Sequence, residues 1–197
     1  MRAVRLTITA LAVATVAAAP TLPAQAPSRG MSSGMSGAAM PRLFVEGLGG
    51  AVVPTFDIAN TAKTGAMFGA AVGYHLTPRW VLMGEFDYGH HKDKATGTVT
   101  INTLHYMAKL GYSLTGRTER GWEALVNLGA GMVGFDVAGT TKSYVAINAG
   151  AKIAYNFSRS LGFVISPQGD IAFAKKAELG TSNAWVWPVS AGLRIRF

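Results

Sequence analysis

From Trp185 to Phe197 the chain alternates apolar residues with polar or small ones, up to its last position. One side of the alternation carries Trp185, Trp187, Val189, Ala191, Leu193, Ile195 and Phe197. The other carries Pro188, Ser190, Gly192, Arg194 and Arg196. A repeat of two is the side-chain period of a β-strand and does not fit an amphipathic helix, whose repeat is about 3.6 residues. A strand apolar on one face and doubly cationic on the other suits a wall between hydrocarbon and a polar interior.

Other segments share this character. From Arg42 onward the pattern predicts strands at about 42–53, 64–76, 80–90, 98–114, 122–137, 143–157, 160–173 and 184–197, each long enough to cross a bilayer as a tilted strand. In the sixth, Val145, Ile147, Ile153, Tyr155 and Phe157 oppose Asn148, Gly150, Lys152 and Asn156. In the third, Trp80, Leu82, Phe86 and Tyr88 oppose Met83, Glu85 and Asp87. The fourth sets Leu104, Tyr106, Leu110 and Tyr112 against His105, Met107 and Lys109. The seventh sets Leu161, Phe163, Ile165, Ile171 and Phe173 against Ser166, Gln168 and Asp170. The first two are Gly-rich, with Glu46, Met67 and His75 assigned inward.

The joints fix an architecture. Short links at 77–79 and 158–159, with a longer one at 115–121, alternate with polar stretches at 54–63, 91–97, 138–142 and 174–183. That rhythm predicts an all-β fold: an eight-stranded antiparallel up-and-down transmembrane β-barrel with both termini at the short-turn end. Tyr74, Trp80, Tyr112, Trp122, Tyr155, Phe157 and Phe197 then fall near that end, and Tyr88, Phe173, Trp185 and Trp187 near the other. Two aromatic bands are what a spanning barrel places at its headgroup levels. A secreted ligand carrier would bury those rings instead.

The inward set predicts a filled lumen. Glu46, Glu85, Asp87, Glu123 and Asp170 supply acids, and Lys109, Lys152, Arg194 and Arg196 supply bases. An eight-stranded barrel is only wide enough for side chains, so these charges are expected to form one paired interior network, with Gly129, Gly131, Gly150 and Gly192 making room. Pro167 and Pro188 interrupt this picture. A strand paired on both sides has no place for a missing donor, so bulges or rim positions are expected there.

The N-terminus reads as an export signal over 1–26. Arg2 and Arg5 precede an uncharged apolar run to Ala19, followed by Ala24-Gln25-Ala26. Residues 27–41 form a flexible Gly/Ser/Met-rich leader, and the barrel occupies 42–197. Only 14% of residues are charged although 49% are hydrophobic, and there is no cysteine, so disulfides play no part. The formal charge of +8 falls to +6 once Arg2 and Arg5 leave with the signal. No basic block or recognition helix accompanies it, which argues against nucleic acid.

Candidate chemistry is sparse. His90-His91-Lys92-Asp93 falls in a predicted outer loop, and adjacent histidines on a strand would point to opposite faces, so it reads as a polar loop. No Gly-x-Ser-x-Gly elbow or His-Glu-x-x-His helix occurs, and His105 is followed by Tyr106-Met107. No catalytic residue, metal or cofactor is expected.

The signal, the alternating segments and the terminal aromatic strand together resemble small Gram-negative outer-membrane barrels of the outer membrane protein A/X type, over 42–197. The resemblance implies residence in the cell outer membrane as a monomer. It also implies that the last strand, through Val189, Ala191, Leu193, Ile195 and Phe197, is read by the barrel-assembly machinery. No further domain follows the barrel here, so a peptidoglycan-anchoring role is not implied. Lysines of the predicted outer loops (Lys92, Lys94, Lys142, Lys175 and Lys176, with Lys63) are candidates for lipid headgroups, the phosphates of lipopolysaccharide above all. The expected function is a non-enzymatic barrel for envelope integrity or surface contact. A lipid-modifying outer-membrane enzyme and a narrow pore are the alternatives.

Overall fold

The computed structural model describes residues 40–179 and 183–197. The expected export signal, and the leader up to residue 39, lie outside the described residues. Strands β1 (Leu43–Thr55), β2 (Gly65–His75), β3 (Trp80–Lys92), β4 (Thr100–Ser113), β5 (Gly121–Val137), β6 (Thr140–Asn156), β7 (Leu161–Ala172) and β8 (Ala184–Arg196) follow one another. Each pairs antiparallel with the next, and β8 closes on β1, giving the expected up-and-down barrel of eight strands. Two short helical turns, Phe56–Asn60 and Lys176–Leu179, lie in loops. No helix among the described residues is long and apolar enough to cross a membrane.

Parity decides which way each side chain points. Along β7 and β8 exposed and buried residues alternate, with Leu161, Phe163, Ile165, Val189, Leu193 and Ile195 outside and Ser166, Gln168, Asp170, Ser190 and Arg194 inside. The outside is the apolar face, the inverse of a water-soluble barrel. Aromatic pairs band the wall. Trp80 meets Tyr112 at 5.1 Å and Trp122 meets Tyr155 at 5.0 Å near the turn end, while Phe68 meets Tyr88 at 5.1 Å and Phe56 meets Trp185 at 5.4 Å toward the loop end.

The strands are staggered. Pairing partners run from Phe44 through Gly73, Met83, Lys109, Gly129, Asn148, Asp170 and Val186, and return to β1 at Pro54, ten residues past the start at Phe44. That shear corresponds to a strand tilt of roughly 40° and a lumen that side chains fill.

The connections differ from expectation in two places. The stretch 138–142 is not a loop: β5 and β6 join through Ala138 and Gly139 alone, both with positive φ (50° and 82°), as a tight hairpin. The β4–β5 connection, 114–120, is the longer turn-end link that the spacing predicts. His91 and Lys92 continue β3 past the expected end at residue 90, and the bridge Ala62↔Asp93 and the bond from Lys63 N to Lys92 O (2.9 Å) extend the pairing there.

Neither proline makes a bulge. The β6–β7 ladder stops at Gly150↔Gln168 and resumes in the same register at Ile153↔Ile165; the β7–β8 ladder stops at Pro167↔Val189 and resumes at Asp170↔Val186. The bonds are simply missing, and side chains fill the seam from both sides. From the lumen, Gln168 Nε2 donates to Ala151 O at 3.1 Å. From outside, the Trp187 ring covers Gly169, where a Cβ would lie 3.0 Å from it.

Candidate functional site

The lumen is the natural place to look, because charge there must be balanced within the protein. Glu46 on β1 sits at its centre. Arg194 reaches it from β8 through Nε (2.8 Å) and Nη2 (2.7 Å), and Lys152 from β6 at 2.6 Å. Lys152 also meets Glu85 of β3 at 2.7 Å, and Lys109 of β4 meets Glu85 at 2.5 Å. Arg194 Nη1 extends the chain to Glu123 of β5 at 3.1 Å. The result is one unbroken row of ion pairs, Glu123–Arg194–Glu46–Lys152–Glu85–Lys109, in which acids and bases alternate and cancel. Every member is buried. Below it the Arg194 guanidinium lies 4.3 Å from the Phe44 ring centre, and His75 Nε2 lies 3.7 Å from Glu123.

The remaining inward charges behave differently. Among the described residues Asp170 pairs with no lysine or arginine; it is met by His105 Nδ1 at 2.6 Å and accepts from Asn148 Nδ2 at 2.5 Å. Asp87 joins none of these pairs, and its carboxylate occupies the space over Gly69, where a Cβ would come within 1.9 Å of Oδ1. Arg196 is not part of the row. It donates to the carbonyls of Thr118 (2.6 Å), Glu119 (2.8 Å) and Ser158, tying two turn-end connections to the last strand. The glycines serve backbone proximity as much as charge. Gly129 lies against Lys109, but Gly150 leaves room for Gln168, and Gly131 and Gly192 face the backbone of Tyr106 and Gly47.

The loop end of the lumen is closed by apolar groups. Ile58, in the helical turn of the β1–β2 loop, packs over Val52, Met67, Val186 and Phe135. A cavity of about 50 Å³ remains beneath it, lined by Pro54, Ile58, Ala62, Ile101, Phe135 and His91 among others. His91 points inward and is held between Lys63 O (2.9 Å) and Thr103 Oγ1 (3.2 Å), while His90 lies outside against Asn102 (3.0 Å). The two histidines face opposite sides of the wall, as parity requires.

The rims carry different cations. At the loop end Lys63, Lys94, Lys175 and Lys176 lie in connections, whereas Lys92 and Lys142 stand on strand ends, not in loops. Lys92 Nζ donates to Thr100 Oγ1 (3.1 Å) and Lys94 Nζ to Ala59 O (3.0 Å), while Lys175 and Lys176 are exposed. In the β3–β4 loop the Thr96 backbone N–H, with help from its hydroxyl and from Val99 N, holds the Asp93 carboxyl below its usual range. At the turn end every exposed cation is an arginine: Arg42, Arg79, Arg120 and Arg159, with Arg117 half-buried. Arg159 meets Glu119 at 2.6 Å, and that hydrogen bond lowers the glutamate's proton affinity. Sequence reading had singled out the lysines and passed over this arginine rim. Its signal was present in Arg79-Trp80 and Arg120-Gly121-Trp122, where an arginine stands just ahead of the tryptophan that opens a strand.

The assembly-signal candidates lie on one surface. Val189, Leu193, Ile195 and Phe197 are exposed on the outer wall with Ala191 between them, and Phe197 N donates to Leu43 O at 2.9 Å.

A family model described as the outer membrane protein beta-barrel domain matches residues 9–197. No curated protein matches the chain. Among solved structures, neisserial surface protein A superposes with a TM-score of 0.61 at 12% identity, covering 79% of this chain and 97% of its own. OprG from Pseudomonas aeruginosa gives 0.57 at 13% identity, covering 80% and 96%. The N-terminal β-barrel domain of Pseudomonas aeruginosa OprF gives 0.51 at 18% identity, covering 80% and 98%. At these identities the likeness is one of fold.

Proposed function

Because the chain belongs to the outer membrane protein beta-barrel domain family, and with it to the outer membrane of Gram-negative cells, we propose that it is a non-enzymatic barrel. In this reading it contributes to envelope integrity and holds lipopolysaccharide at its lysine rim. The observation that carries the proposal is the ion-paired row from Glu123 to Lys109. A lumen spanned by mutually neutralised, buried side chains is built to be stable and closed. The His105–Asp170 pair, 0% and 2% exposed, is sealed inside the wall, where a lipid substrate cannot meet it. The exposed Lys175 and Lys176 offer compact ammonium charges at the level of the outer-leaflet phosphates. Export by a signal over 1–26 and insertion guided by the last strand belong to the same proposal.

The test is co-purification. K175Q/K176Q should retain several-fold less lipopolysaccharide than the parent protein while still shifting in gel mobility on boiling, the mark of a folded barrel. Equal retention would sink the surface-contact reading. Release of fatty acid from lipid A by the parent protein would sink the non-enzymatic one.

A further inference from the structure

The two rims divide their cations completely. Among the described residues, exposed lysines stand at the loop end and exposed arginines at the turn end. The turn-end connections 76–79, 114–120 and 157–160 contain a single acid, Glu119, and Arg159 already occupies it. Arg120 shares the field of that same carboxylate, and no ion pair among the described residues engages Arg79.

Arg79 shows what this end is shaped to meet. Its side chain does not project away from the barrel; Nη1 donates to the Tyr112 hydroxyl at 2.8 Å, and the guanidinium lies 5.9 Å from the Tyr112 ring centre. Tyr112 points outward and is edge-packed on Trp80 at 5.1 Å. Tyr and Trp rings of this kind mark the headgroup level of a bilayer. Arg79 is therefore tied to the aromatic band of the lipid-facing wall, and no other hydrogen bond within the described residues engages the remaining N–H groups of its guanidinium. Arg120, also exposed, precedes Trp122 by two residues, and the Trp122 ring packs on Tyr155. The turns bearing Arg79 and Arg120 are joined by Arg117 N to Pro78 O (2.9 Å) and Ser113 N to Arg79 O (2.7 Å), so they present one surface.

We propose that this rim is a binding site for anionic phospholipid of the inner leaflet, with Arg79 on Tyr112 and Arg120 beside Trp122 as the phosphate contacts. A guanidinium presents a planar fork that engages two phosphate oxygens at once, which an ammonium cannot do. The ligand is a lipid, not a soluble acidic polymer, because Arg79 is anchored to Tyr112 on the lipid-facing side of the barrel. The barrel thus grips a different anionic lipid at each end, fixing its depth and orientation.

The test uses the full chain folded in detergent, with phosphatidylglycerol and phosphatidylcholine added at equal concentration and bound lipid read by native mass spectrometry. The parent protein should retain phosphatidylglycerol in preference, by about fivefold for each arginine engaged. R79Q/R120Q should fall to near parity, R79K/R120K should keep part of the preference, and K175Q/K176Q should match the parent. Equal retention of the two lipids by the parent protein overturns the site, whether or not any variant folds. So does an unchanged preference in a folded R79Q/R120Q. Displacement of phosphatidylglycerol by soluble muropeptide would assign the rim to the cell wall and overturn it equally.

Discussion

Pro167 has no N–H to offer the Ala151 carbonyl, and the Gln168 side-chain amide reaches that oxygen at 3.1 Å while also donating to Ser166 Oγ at 2.9 Å. In a wall facing hydrocarbon, an unpartnered carbonyl has no water to turn to. Gln168→Leu leaves it stranded and should cost about 1–3 kcal/mol, seen as a lower urea midpoint in detergent micelles. Adding Pro167→Ala to that variant should restore part of the loss, because the alanine N–H can take over; no recovery would show that Gln168 acts by packing alone. Arg196 works on the same principle at the turn end, where its guanidinium satisfies turn carbonyls. From sequence Gln168 counted only as inward and polar, and Arg196 as a base of the interior charge network. Parity was legible, but the atom each would reach was not, since that depends on which backbone groups the neighbouring strands leave open.

The β5–β6 hairpin raises the question of turn chemistry at the level of the element. Ala138 and Gly139 both adopt positive φ, a conformation that costs an alanine the clash of its Cβ with the backbone. Asn-Gly is the usual occupant of such a turn, and Ala-Gly stands here in its place. Asp136 compensates by accepting from Gly139 N (3.2 Å) and Thr141 Oγ1 (3.0 Å). Ala138→Asn should raise stability by about 1 kcal/mol, mainly by slowing unfolding; a lower urea midpoint would rule out strain at this position. Strand limits elsewhere lay within a few residues of the pattern, and the misses share one cause. At β3 and β6 the pairing continues through polar residues such as His91 and Lys142, where hydropathy no longer reports a strand but the partner's backbone still offers bonds.

At the scale of the whole molecule, closure makes the lumen a single cooperative unit. Glu46 connects β1 to β6 and β8, Arg194 adds β5, and Lys152 and Lys109 add β3 and β4. Glu46→Gln removes one anion and leaves two buried cations facing each other. We expect the barrel to form but to lose about 3–5 kcal/mol, read from the urea midpoint in micelles. An unchanged midpoint would mean that the ion-paired row is not what holds the wall together. Outside this unit the wall presents the apolar face that a bilayer covers.

The sequence by itself determined that the chain forms strands, which face of each meets lipid, and that they close into a barrel. Those properties depend only on parity and spacing, and both are local. It did not determine which charges meet. Glu46 pairs with Lys152, 106 positions away, and with Arg194, 148 positions away, while Asp170 goes to His105 and Arg196 to backbone carbonyls. Those choices follow from the stagger between Phe44 and Pro54 on closing the barrel. The stagger sets which inward side chains share a level, and only the assembled pairing of all the strands sets the stagger.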